Sequence, residues 1–196
     1  MDDHKNRLIG EILEIELKMF LSVPVLEKAS CQEHPEDFQT IRRAQFLTWS
    51  AQSLESYLHD LMTAEHEGQN LMTQKYARMD NLIPWQNEAP LIEKIVTIQY
   101  AWQKEMFQKY PNLMHGARPL GSSEDSAFQT SFETYLRSEL ETYSHETLVY
   151  LYDDISRREK EAKNMTEELY EYMVRGLGYE SLDQAEETAE KKRRVR

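Results

Sequence analysis

Arg43 and Arg137 occupy the same place in two similar stretches of the chain. Each lies five residues after a phenylalanine, Phe38 or Phe132, and two before a polar side chain, Gln45 or Glu139. A guanidinium held on a helix at such a position can grip a carboxylate or phosphate through two parallel hydrogen bonds. The more ordinary reading is an ion pair with the opposite stretch, and the chain offers 35 Asp and Glu residues for it. Together with Arg118, the two arginines are candidate contacts for a small anionic ligand or a peptide, with Gln45, Tyr135 and Glu139 orienting them. Matched polar residues on otherwise apolar helices would be costly to bury without partners.

A second chemistry rests on two loops. Cys31, between Ser30 and Gln32 with His34 nearby, stands ahead of an expected helix whose N-terminus would lower its pKa and activate the thiolate. The other loop runs through Ser122, Ser123, Glu124 and Asp125. Brought together, a thiol or paired carboxylates near arginine could do acid–base or acyl chemistry. Against this, a lone cysteine is more often a small buried hydrophobe, and the second stretch has no thiol. Cys31 is therefore carried as a candidate ligand contact, and the enzyme as the alternative. Metal binding is weaker still. Glu55 with His59 and Glu141 with His145 share helical faces, but the carboxylate-to-histidine spacing of three used by di-iron bundles is missing. Phosphate loops, nucleophile elbows and dinucleotide fingerprints are missing too, and nothing identifies a cofactor.

These residues are positioned by a repeat. Slid by 94 positions, residues 38–79 fall on 132–173 without a gap and with twelve identities: Phe38, Thr40, Arg43, Thr48, Ser50, Leu54, Asp60, Glu65, Glu67, Asn70, Tyr76 and Met79 each meet their like. Upstream, Leu8, Ile9, Ile12 and Ile15 meet Leu91, Ile92, Ile95 and Ile98 at a shift of 83. The chain reads as an internal duplication, in repeats of approximately 3–82 and 89–178 forming one domain over 1–196. Two pseudo-twofold halves of one body would place a cleft between them.

The apolar stripe Leu8, Ile9, Ile12, Leu13, Leu17, Phe20 predicts a helix over about 3–22, and its partner falls at about 89–109. Second helices are expected at about 36–48 and 125–142, third ones at about 51–67 and 145–162, and fourth ones through Tyr76/Met79 and Tyr170/Met173. Ser50 and Ser144 read as N-caps. Asn70 and Asn164 mark turns, either as left-handed residues or as caps. Gly176 to Gly178 stops the last repeat helix, and Ser181 with Gln184 opens a short terminal helix as a capping box. No stretch alternates long enough to be a strand. The expected fold is all-α: a duplicated helical bundle of two units of about four helices plus a short C-terminal helix. The long loops 23–35 and 111–125 occupy equivalent places, and an anion is expected beside them at the N-termini of the second helices, near Arg118.

Net charge is −12, yet five of the last six residues are basic, so the remainder carries 18 basic against 35 acidic side chains. Such a surface repels phosphate backbones and argues against nucleic acid. The basic end, in the terminal segment 181–196, reads as a solvated tail. No segment has the length of a membrane span or the layout of a signal peptide, and the expected location is the cytoplasm. Exposed Tyr and Met on acidic helices, with Ile83-Pro84-Trp85, would suit a purely structural or interaction protein such as a homodimer.

Ala29-Ser30-Cys31-Gln32, Arg43-x-Gln45-Phe46-x-x-Trp49, Gln69-Asn70-Leu71, Lys75-Tyr76-Ala77-x-Met79, Lys109-Tyr110-Pro111, Arg118-Pro119 and Thr130 to Ser144 together resemble the bacterial domain-of-unknown-function family 4125. The resemblance covers nearly the whole chain. It implies a bacterial, cytoplasmic protein and brings no activity or catalytic residues with it.

Overall fold

A computed structural model describes residues 3–24, 35–85, 87, 90–126 and 129–194. Among these the regular structure is helical, apart from one isolated bridge between Ser126 and Gln129. The helices are α1 (Asp3–Leu21), α2 (Pro35–Leu47), α3 (Ala51–His66), α4 (Leu71–Met79), α5 (Pro90–Lys109), α6 (Phe132–Leu140), α7 (His145–Lys160), α8 (Met165–Gly176) and α9 (Leu182–Arg194). Two single 3₁₀ turns, Leu113–Gly116 and Ser122–Glu124, punctuate the approach to α6.

The expected boundaries hold within two residues except at α6. Helix was expected from 125, but α6 begins at Phe132 because Ser131 is its N-cap, accepting the amide of Thr134. The preceding residues form the 3₁₀ turn and the bridge instead. Ser50 and Ser144 cap α3 and α7, accepting the amides of Ser53 and Thr147. Asn70 and Asn164 take the capping option: both are extended and accept from Thr73 and Glu167. The left-handed residues lie two positions earlier, at Gly68 (φ 69°) and Ala162 (φ 53°). At the last helix Gln184 donates its amide to Ser181 Oγ, while its side chain accepts from Glu180 rather than from Ser181. That helix spans 13 residues and carries Lys191 to Arg194 in its last turn, so these four basic residues are helical.

Two long helices organise the packing. α1 packs against α2, α3 and α4, and α5 against α6, α7 and α8. The two groups interlock: α2 lies on α8, α4 lies on α6, and α3 runs against α7. One large apolar core results, from Ile9 and Ile12 of α1 through Leu54 and Leu61 of α3 to Ile95 of α5 and Leu148 and Ile155 of α7. A smaller cluster of Met106, Met114, Val174, Leu182 and Ala185 fastens α9 over the turn at 113–116. Glu186 of α9 adds a polar clamp there, its carboxylate accepting the backbone amides of Asn112 and Leu113 at 3.0 and 2.6 Å.

Candidate functional site

The apolar stripe of α1 is broken by one charge, Glu16, which is fully buried. An isolated carboxylate there would cost several kcal/mol, so the fold has to bring it a cation, and Arg42 of α2 does so. Its Nε and Nη2 donate to the two oxygens of Glu16 at 2.9 and 2.5 Å, in the two-pronged geometry that suits a guanidinium. Nη1 donates to Glu139 of α6 at 2.7 Å and to Gln45 at 2.8 Å. Lys75 of α4 donates to the other oxygen of Glu139 at 2.6 Å. Tyr57 closes on Glu16 and Tyr143 on Glu139, each at 2.6 Å. Two carboxylates and two cations thus cancel inside the core.

Burial alone would push the Glu139 carboxyl up, but Arg42 and Lys75 outweigh it and hold it well below the usual carboxylate range. Burial would likewise lower the Lys75 ammonium, and Glu139 raises it to about 12. The Tyr57 and Tyr143 hydroxyls are driven well above their ordinary value by burial and by Glu16 and Glu139 respectively. The charges of Arg42, Lys75 and Glu139 therefore persist through neutral pH, and both tyrosines stay protonated.

This layer forms one wall of a cavity of about 370 Å³. Its sides come from both halves of the chain: Phe20, Phe38, Ile41, Trp49 and Tyr76 on one side, and Gln99, Gln103, Phe132, Leu136, Leu169 and Tyr170 on the other. Arg42, Gln45 and Glu139 face it from the charged layer. Arg118, exposed, lines both this cavity and a wider, more polar concavity of about 850 Å³ outside it. Its guanidinium lies 4.8 Å from the centre of the Tyr135 ring and donates to the Thr130 carbonyl. Among the described residues it forms no ion pair within 4.0 Å. Lys75 also lies against this ring, its Nζ 3.7 Å from the ring centre.

Of the residues expected at a site, Gln45, Arg118, Tyr135 and Glu139 line this cavity, and Arg43 and Arg137 do not. Arg43 is exposed and, among the described residues, reaches only Asn6, at 3.5 Å. Arg137 does pair with a carboxylate, but inside its own half rather than across to the other: it donates to both oxygens of Glu93 on α5 and stands over Trp85. The matched pair therefore does not converge on a ligand. Its neighbour Arg42, whose counterpart at the 94-residue shift is Leu136, is the guanidinium that is buried beside the cavity. The telling signal was a charge on an apolar face, since Glu16 falls in the stripe Ile9, Ile12, Leu13, Met19, Phe20.

The N-terminus of α6 is not open to an anion. Asp125 accepts the Ser131 amide and the Thr134 hydroxyl, and the amides of Phe132 and Glu133 go to the carbonyls of Pro119 and Leu120. Asp125 and Glu124, offered for acid–base work, are thereby spent on their own loop, Glu124 accepting from Gly121. Cys31 and His34 lie outside the described residues. Among the described residues no group of three or more His, Cys, Asp or Glu is gathered as a metal would need, and no helix is long and apolar enough to cross a membrane.

A family model described as protein of unknown function (DUF4125) matches residues 6–187. The chain belongs to the DUF4125 family. No curated protein and no solved structure matches it. The family match spans every element that lines the cavity, from Phe20 of α1 to Tyr170 of α8.

Proposed function

We propose that this DUF4125 protein binds a small molecule in the cavity between its two halves, with an apolar body inside and an anionic group at Arg118. The observation that carries the reading is the cavity itself. It has the volume of a small-molecule site, mostly aromatic and aliphatic sides, and one guanidinium at its rim that forms no ion pair within 4.0 Å among the described residues, with Asp125 feeling its charge from farther off. A folded peptide would not fit so small a space, which favours a small ligand over the peptide.

Binding is favoured over catalysis by the state of the buried groups. Arg42 directs donors to Glu16, Gln45 and Glu139, and Glu139 accepts from Arg42, Gln45, Tyr143 and Lys75. Groups so committed orient one another and have little capacity left for moving a substrate's protons.

We also infer that the cavity is a product of internal duplication. Support comes from interactions that recur at the sequence shifts: Asn70 donates to the Met19 carbonyl and Asn164 to that of Trp102, and the α2–α8 contact is mirrored by α4–α6. In this reading the charged layer and the cavity are the two unlike counterparts of one ancestral interior.

Thermal-shift and calorimetric titration of the full chain with a panel of small aryl and alkyl carboxylates tests the function. At least one acid is expected to stabilise the wild type, less so Arg118→Ala, and not at all Leu136→Trp, which fills the space. Stabilisation of none of the panel, or equal binding by Leu136→Trp, would sink the reading.

A further inference from the structure

Gln103 sits on the buried face of α5, 3% exposed, and lines the cavity. Its Nε2 reaches the Tyr170 hydroxyl at 3.5 Å, and its Oε1 has no hydrogen-bond partner among the described residues. An amide oxygen left so in the interior costs stability, and much of the cavity lining, Phe132, Leu136 and Leu169 among it, carries no donor. The sequence shows what stands there in the other half. At the 83-residue shift Gln103 falls on Phe20, whose ring stacks on Phe38 at 4.3 Å and sits 6.1 Å from Tyr76. Phe132 and Tyr170 match Phe38 and Tyr76, so the second half keeps two aromatic rings and replaces the third with a carboxamide. A phenylalanine would fill the space; the glutamine leaves room and an unanswered acceptor.

We propose that Gln103 reads a hydrogen-bond donor at the inner end of the ligand, so that the molecule taken up is an aryl or alicyclic carboxylate bearing a hydroxyl or ring N–H distant from its acid group. The inference rests on the binding function proposed above and adds the chemistry of the buried end. Arg118, exposed at the rim, meets the acid, and Gln103, buried, meets the donor. The aromatic sides between them, Phe38 and Phe132 among them, favour a flat body. Tyr170 orients the carboxamide. Burial pushes its own hydroxyl above the ordinary value, so it remains protonated.

The test is calorimetric titration of the full chain with three probes of one shape: 4-hydroxyphenylpropionate, phenylpropionate and 4-methoxyphenylpropionate. The wild type is expected to bind the hydroxyl probe about tenfold or more tightly than either other acid, because only it donates. Gln103→Leu and Gln103→Met are both expected to erase that preference while still binding phenylpropionate, and to melt higher than the wild type without ligand, since the orphan acceptor is gone. Equal binding of the three probes, or a preference that survives both substitutions, overturns the role of Gln103 and leaves the cavity as a binding site. Binding of none of them by the wild type overturns the role of Gln103 and counts against the cavity function with it.

Discussion

Asp60 and Asp154 cap each other's helices. Asp60, on α3, accepts the amide of Ser144 and the hydroxyl of Thr147 at the start of α7, at 3.0 and 2.7 Å. Asp154, on α7, accepts the amide of Ser50 and the hydroxyl of Ser53 at the start of α3, at 2.8 and 2.6 Å. Each carboxylate thus stabilises the positive end of the neighbouring helix, and the two helices are fixed in register by the exchange.

Asp154 is 2% exposed, so Asp154→Ala leaves buried donors unanswered and is expected to lower stability by about 1–3 kcal/mol. Asp60→Ala should act in the same direction. Urea denaturation of the two single variants and the double variant checks this; single losses below about 0.5 kcal/mol would show the exchange to be incidental.

Removal of one member of the buried charged layer should cost more than removal of the whole. Glu139→Leu strands Lys75, leaves Arg42 only Glu16 as a carboxylate, and is expected to destabilise by about 3–5 kcal/mol, whereas replacing Glu16, Arg42, Lys75 and Glu139 together with apolar residues of similar size should come much closer to neutral. A quadruple variant less stable than Glu139→Leu by denaturant titration would contradict this account.

The same layer predicts how stability depends on pH. Lys75, raised to about 12 in the fold, and Tyr57 and Tyr143, also raised, hold protons more tightly folded than unfolded. Their contribution is present below the unfolded values of about 10 and is lost as pH rises beyond them, for Lys75 through about 12. Glu139 runs the other way: its folded value is depressed, so its contribution is full above the unfolded value of about 4.3 and fades in stronger acid. Denaturant midpoints followed across pH are expected to fall above about pH 10, and to fall less steeply in a Tyr143→Phe variant. An unchanged alkaline slope in that variant would refute the assignment.

Gly68 and Ala162 end α3 and α7 in the left-handed region, at φ 69° and 53°. In each turn the next amide reaches back to close the helix, Gln69 to Ala64 and Lys163 to Arg158. A Cβ is strained in this conformation, by about 1–2 kcal/mol. Ala162→Gly should therefore raise stability by up to about 1 kcal/mol, and Gly68→Ala should lower it by about as much. Thermal melts that move the two variants the same way would refute the reading.

The identities between the two stretches made the caps legible. Ser50/Ser144 and Asn70/Asn164 recur because the helices they open start with the same side-chain-to-amide hydrogen bonds, whereas the identity of Asp60 with Asp154 gave no hint of their exchange. The identities also pointed away from the interior. Each member of the charged layer occupies an unmatched position: Glu16 meets Gln99, Arg42 meets Leu136, Lys75 meets Leu169, and Gln45 meets Glu139. The matched caps mark helix ends, and the charged layer is built from positions where the two stretches differ. The start of α6 escaped the sequence pattern because its entry is governed by Asp125 and two backbone carbonyls, contacts that no helical period announces.

The interlocking of α2 with α8 and of α4 with α6 has a consequence for synthesis. When residue 82 leaves the ribosome, α1 to α4 have each other but lack the surfaces that will cover them, and Lys75 has not yet met Glu139. The nascent first half therefore has to wait, partly open, until α6 to α8 emerge. Contacts spanning 90 residues or more, such as Ser50 to Asp154 and Arg42 to Glu139, slow closure and expose apolar surface meanwhile. A fragment ending at residue 82 is expected to be unfolded and aggregation-prone alone, and to gain helical circular dichroism when mixed with a fragment of residues 83–196. A cooperative melt from the first fragment by itself would show that the halves are autonomous after all.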